Sequence, residues 1–153
     1  MSLPQLLQST ALTCLGIVAG IAFVVQATVN AKLRAAVGSP NWAALASYAG
    51  GTLAMLLVVA ALREARPAPG ALHGAPWWAW TGGAWGAIYV VIIIVLLPRI
   101  GTAAVVALFV AGQMLASLAF DQVGAFGVPR IPIDAARIAG ALLLVAGVVL
   151  IRR

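Results

Sequence analysis

Apolar residues dominate five stretches of the chain, at approximately 9–31, 41–62, 76–97, 101–120 and 135–151, with few polar positions inside each. About 20 helical residues rising 1.5 Å each cross roughly 30 Å of hydrocarbon, so the pattern predicts five spanning helices. The last is the shortest, and Arg137 near its start can snorkel to the interface. Polar and turn-forming residues fill the gaps. Gly38-Ser39-Pro40 offers a helix stop, an N-cap and a proline at the first helical position, where its missing N–H costs nothing. Pro98-Arg99-Ile100-Gly101 is so short that the third and fourth helices are expected to form an antiparallel hairpin. Residues 63–75, with Pro67, Pro69, Gly70 and His73, predict an exposed loop, and Trp77, Trp78 and Trp80 after it an interfacial aromatic belt. Gly124, Gly127, Pro129 and Pro132 interrupt the chain before Asp134, the expected cap of the last helix.

The polar positions inside the spans are few and spaced like helix faces. In "VVQATVNAKLR" Gln26 and Asn30 lie about 40° apart on a helical wheel. Gly16, Gly20 and Phe23 occupy the neighbouring sector, which makes a small-residue groove suited to helix packing. Lipid offers amides no partners, so this face is expected to be buried in protein. It serves either interhelical hydrogen bonds or a substrate or ion path. In "GQMLASLAFD" Gln113, Ser117 and Asp121 recur every four residues. A carboxylate at a span is a functional candidate by default, here for proton coupling, although Asp121 equally suits the water boundary. Thr81, Trp85 and Tyr89 form a similar row beside Gly82 and Gly86, a pattern that suits packing or a ligand slot. Ser47 with Gly51 and Tyr48 with Thr52 add weaker signals on the second helix.

Composition fixes the class. Of 153 residues, 64% are hydrophobic and 8% charged, and the mean hydropathy of +1.12 lies far above that of water-soluble domains. An all-α integral membrane protein follows, with residues 1–153 as a single five-helix transmembrane domain in contact with the lipid bilayer. Nine Lys and Arg against three acids give +6. These charges sit singly or in pairs at the ends of apolar runs, which argues against nucleic acid and for topology signals. Residues 11–25 are apolar and Val25-Gln26-Ala27 faintly resembles a signal-peptide cleavage site, but Lys32 and Arg34 follow the run and no Lys or Arg precedes it, which suits a retained span. Cys14 alone cannot staple the chain to itself. The sequence holds no metal-ligand cluster, phosphate-binding loop or nucleophile–base set, so neither an enzyme nor a metal or other cofactor is expected. Secondary transport, a passive channel or a structural role remain.

Orientation is weakly encoded. Arg63, Arg66, Arg130 and Arg137 fall on one side of the five spans, and Lys32, Arg34, Arg99, Arg152 and Arg153 on the other. Four against five is a bias of one charge. Either the C-terminus is fixed in the cytoplasm, or the chain inserts both ways and pairs as an antiparallel dimer.

"QATVNAKLRAAVGSPNWAALASYAGGTL", "PWWAWTGGAWGAIYVV", "LLPRIGTAAVVALFVAGQMLASLAFDQVGAFGVPRIPI" and "RIAGALLLVAGVVLI" resemble the YdcZ family of inner-membrane exporters, over nearly the whole chain. That family belongs to the drug/metabolite transporter superfamily, whose larger members have ten helices in two inverted five-helix repeats. The resemblance implies that this chain corresponds to one such repeat, in a bacterial inner membrane. Gln26, Asn30, Gln113, Ser117 and Asp121 all fall in the matching stretches. Small multidrug transporters of the superfamily carry a membrane-embedded Glu in the first helix; here Gln26 and Asn30 stand in that helix, which speaks against cationic-drug antiport. The expected protein is a secondary-active exporter of a small metabolite or amphipathic compound, working by alternating access in a homodimer. Gln26, Asn30, Tyr48, Gln113 and Ser117 are expected at the substrate, Trp85 and Tyr89 as a wall, and Asp121 as the coupling carboxylate. A small ion channel and an accessory membrane subunit are the alternative readings.

Overall fold

The computed structural model describes residues 3–68, 70, 71 and 74–151, so Pro69, His73, Arg152 and Arg153 lie outside the described residues. It is helical: α1 (Leu3–Val37), α2 (Pro40–Ala61), α3 (Gly82–Ile100), α4 (Thr102–Val123) and α5 (Ala135–Ile151), with short 3₁₀ segments at Trp77–Thr81 and Ala125–Gly127. Among the described residues, four segments have the length and composition to cross a membrane: Leu7–Val37, Pro40–Ala61, Trp77–Ile100 and Thr102–Val123. The fifth, Ala135–Ile151, is apolar but only 17 residues long. The chain divides into two compact units, Met1–Pro98 and Arg99–Arg153.

Caps set most helix boundaries. α1 ends where Gly38 turns left-handed (φ 73°) and returns its N–H to the Arg34 carbonyl at 2.9 Å. Ser39 then caps α2, its Oγ accepting from the Trp42 N–H at 3.4 Å, and Pro40 opens the helix. Asp134 caps α5 through its Oδ1, which accepts from the Arg137 N–H at 2.8 Å. Two boundaries differ from expectation. The 35-residue α1 extends past both ends of its apolar run, and toward the C-terminus nothing before Gly38 stops it. The third helix starts with a 3₁₀ turn through the tryptophans, where Thr81 Oγ1 donates to the Trp78 carbonyl at 2.7 Å, and it then continues through Pro98. The connection to α4 is thus Gly101 alone, at φ 82°.

Pro98 removes the N–H that would bond the Ile94 carbonyl one turn back. Arg34 of α1 supplies the replacement, donating from NH1 to that oxygen at 3.4 Å. A guanidinium from another element thus meets the freed acceptor. Around this point in the first unit, Ala43 and Ala44 of α2 meet Val90 and Ile94 of α3 in a buried cluster, with Leu33, Tyr48, Tyr89 and Val91 packed on it. Side chains alone bridge the two helices here, and Ile94 is wholly buried.

In the second unit α4 packs against α5, and the linker between them is held by the end of α4. Gly124 ends α4 in the left-handed region (φ 67°). The Asp121 carbonyl accepts from the Ile131 N–H at 2.8 Å, and the Gln122 carbonyl from Arg130 Nε at 2.9 Å. The Gln122 side-chain oxygen accepts from the Ile133 N–H at 2.7 Å. Phe120 and Phe126 meet edge to face at 5.4 Å, which turns the linker back on the helix.

Candidate functional site

Three cavities carry several polar residues of the spans. The most voluminous of the three, about 510 Å³, is a broadly open groove against α1 and α2, lined by Gln26, Ser47, Tyr48, Gly51, Thr52, Met55, Leu56 and Val59. Its α2 wall follows helical spacing: Tyr48, Thr52, Met55, Leu56 and Val59 share one face, polar at one end and apolar at the other. Tyr48 is fixed from behind. A Cβ on Gly86 would overlap the Tyr48 hydroxyl, so only glycine at that position lets this hydroxyl sit against α3.

A second, much smaller space of about 10 Å³ lies among Phe23, Gln26, Ala27, Asn30, Tyr89, Val90, Ile93 and Ile94. That is about the least space that holds one water. Asn30, 5% exposed, is the buried polar side chain among the described residues, whereas Gln26, one turn earlier, is exposed. Gln26 belongs to both cavities, so it stands between the larger space and the smaller one.

The third cavity lies in the second unit, about 350 Å³, lined by Met114, Ser117, Leu118, Asp121, Arg137, Gly140, Ala141 and Leu144. Its polar wall is an ion pair: Arg137 NH1 meets Asp121 Oδ2 at 2.9 Å, with side-chain exposures of 32% and 29%. Arg137 therefore reaches across to α4, where its position in the sequence suggested an arginine snorkelling to the interface. Ser117 donates its hydroxyl to the Gln113 carbonyl of its own helix at 2.9 Å, leaving only acceptor capacity toward the cavity.

The expected site residues are thus partly gathered. Gln26 and Tyr48 share the open cavity; Gln26, Asn30 and Tyr89 share the small space; Ser117 and Asp121 share the third. Trp85, 67% exposed, and Gln113, also exposed, line none of the three. Of the expected packing glycines, Gly86 meets Tyr48, while Gly16, Gly20 and Gly82 have nothing within 4 Å of where a Cβ would stand. Ser47 and Thr52 are additions to the open cavity, and their signal in the sequence was the pairing with Gly51 and Tyr48 at helical spacing. Arg137 is the other addition. Its signal was the placement of opposite charges at the two ends of one short linker.

Long apolar helices with polar cavities on their faces define a multi-pass membrane protein. The chain belongs to the family described as "Putative inner membrane exporter, YdcZ", whose model matches residues 11–150. Its place is the inner membrane, in a family of transporters rather than enzymes. No curated protein and no solved structure matches it.

Proposed function

We propose that the protein is a secondary-active exporter of a small metabolite or amphipathic compound, and that residues 1–153 act as one five-helix repeat of the drug/metabolite transporter superfamily. The observation that carries this reading is the open cavity of about 510 Å³ beside α1 and α2, of the size that takes small molecules and with four hydrogen-bonding side chains on its wall. Cargo enters it, and Gln26 stands at the passage toward Asn30 and Tyr89. The space beyond Gln26 is narrow, about 10 Å³, and alternating access would widen it in another conformation.

A single repeat does not surround a path, so the working unit is a homodimer, antiparallel if the weak charge bias permits both orientations. The open Gly16–Gly20 face of α1 supplies a surface on which a second copy packs closely. Gln113 and Trp85 belong to the path of that assembled form. Asp121 couples transport to protons when its pairing with Arg137 is released during the cycle.

Reconstitution tests the proposal. Proteoliposomes should show saturable flux and counterflow for a cargo found by screening metabolites, and Asn30→Ala should reduce that flux at least about tenfold, the scale of losing one buried polar contact. Unsaturable ion flux without counterflow would instead make the protein a channel.

A further inference from the structure

We infer that the cavity beside α1 and α2 binds an uncharged amphipath, with a hydrogen-bonding head at Gln26, Ser47, Tyr48 and Thr52 and an apolar body along Met55, Leu56 and Val59. This names the chemical class of cargo, and for the cargo role it rests on the exporter reading; the binding site itself does not need that reading.

The wall holds no Asp, Glu, Lys, Arg or His. A fixed charge entering it would leave its hydration shell and find no countercharge, at a cost that hydrogen bonds from hydroxyls and one amide do not offset. A neutral head meets a full complement instead. Gln26 offers two donors and an acceptor oxygen, Ser47 and Thr52 each offer a hydroxyl that donates or accepts, and the Tyr48 ring, its hydroxyl seated against α3, flanks them. An amide, a hydroxyl or a carbonyl is matched from two helices at once.

The apolar body follows from the direction of the wall. From Ser47 to Val59 the lining descends α2 for about 18 Å, at 1.5 Å per residue. Its first part is polar and its last three residues are apolar, so head and body are placed at opposite ends. Gly51 lies between them with open space where a Cβ would stand, which widens the cavity at the join.

Depth separates such a ligand from membrane lipid. Ser47 to Thr52 are the eighth to thirteenth of the 22 residues of α2, near the middle of the span. A phospholipid headgroup stays at the interface, and an acyl chain offers nothing to four polar side chains. The second unit shows that this chain does place charges at a cavity wall, with Asp121 and Arg137. Neutrality of the first cavity is therefore a local property of its wall.

The test is cysteine protection on the full-length protein in phosphatidylcholine nanodiscs. Ser47→Cys is placed in a Cys14→Ser background, and its labelling by a small neutral methanethiosulfonate is timed against three probes sharing one tail: octanamide, octyltrimethylammonium and octanesulfonate. Leu53→Cys, exposed and outside the cavity, controls for partition into the bilayer. Octanamide should slow labelling at Ser47→Cys about fivefold at about four times its Kd, with no change at Leu53→Cys. The two charged probes should slow it less than about twofold at the same concentration. Thr52→Cys carries the same expectation if Ser47→Cys does not fold. Equal or better protection by a charged probe overturns the inference, as does a free-labelling or an unreactive cysteine that octanamide leaves unchanged. Protection by octanamide without any counterflow upholds the site and overturns the exporter reading. Counterflow of a charged cargo with no protection by octanamide overturns the site and upholds the exporter.

Discussion

The cavity of the first unit and the cavity of the second treat charge in opposite ways. One is walled by an amide, two hydroxyls, a tyrosine ring and apolar side chains; the other has a carboxylate and a guanidinium facing each other at 2.9 Å. The difference is one of role. An ion pair at the end of α4 ties that helix to α5 across the linker, and its two charges largely neutralise each other. A neutral wall leaves its donors and acceptors available to a guest.

Putting a charge into the neutral cavity is the strongest way to break that contrast. Thr52→Asp should cost about 2.5–3.5 kcal/mol, the scale of an acid at the centre of a spanning helix, and should lower the yield of inserted protein in a membrane-fractionation assay. Unchanged insertion would mean that water or a hidden cation already reaches Thr52. Breaking the pair comes next. Asp121→Ala should lower stability by about 1–3 kcal/mol in thermal unfolding, less than a fully buried pair would, because both side chains are about one-third exposed. The Asp121→Ala, Arg137→Ala double variant should recover part of the loss, since it leaves no unpaired charge. The smallest effect sharpens the contrast without touching charge. Gly86→Ala pushes the Tyr48 hydroxyl off its seat and should cost about 1 kcal/mol in the same assay, with weaker octanamide protection at Ser47→Cys.

What could be read from the sequence follows the range of the forces involved. Ser39, Pro40 and Asp134 act within one helical turn, and their caps form as their positions imply. The apolar runs mark helices for the same reason. Pro98 was misleading: its local effect is loss of a backbone bond at Ile94, and the group that meets the freed carbonyl, Arg34, lies sixty residues earlier in the chain. The C-terminal reach of α1 escaped because the helix continues until Gly38 stops it, whether or not the sequence is still apolar.

The candidate site shows the same division. Helical spacing placed Gln26 and Asn30 on neighbouring sectors, but only packing by α3 makes one buried and leaves the other exposed. Tyr48 with Thr52 was visible as a four-residue repeat; that this repeat lines a cavity depends on what lies opposite it. The Asp121–Arg137 contact depends on the linker folding back through Gln122 and Ile131, so each charge alone reads as a boundary marker.

The bond from Arg34 to the Ile94 carbonyl also carries information about the order of assembly. Arg34 is made and delivered to the membrane before α3 exists, so its guanidinium first resides in interfacial water. Ile94 and Pro98 arrive some sixty residues later, and only then is there a bare carbonyl for it to hold. The Ile94 carbonyl thus gains its Arg34 partner only after the third helix is made. A nascent chain that lost α1 would present an α3 with an unpaired carbonyl, a defect on which membrane quality control can act.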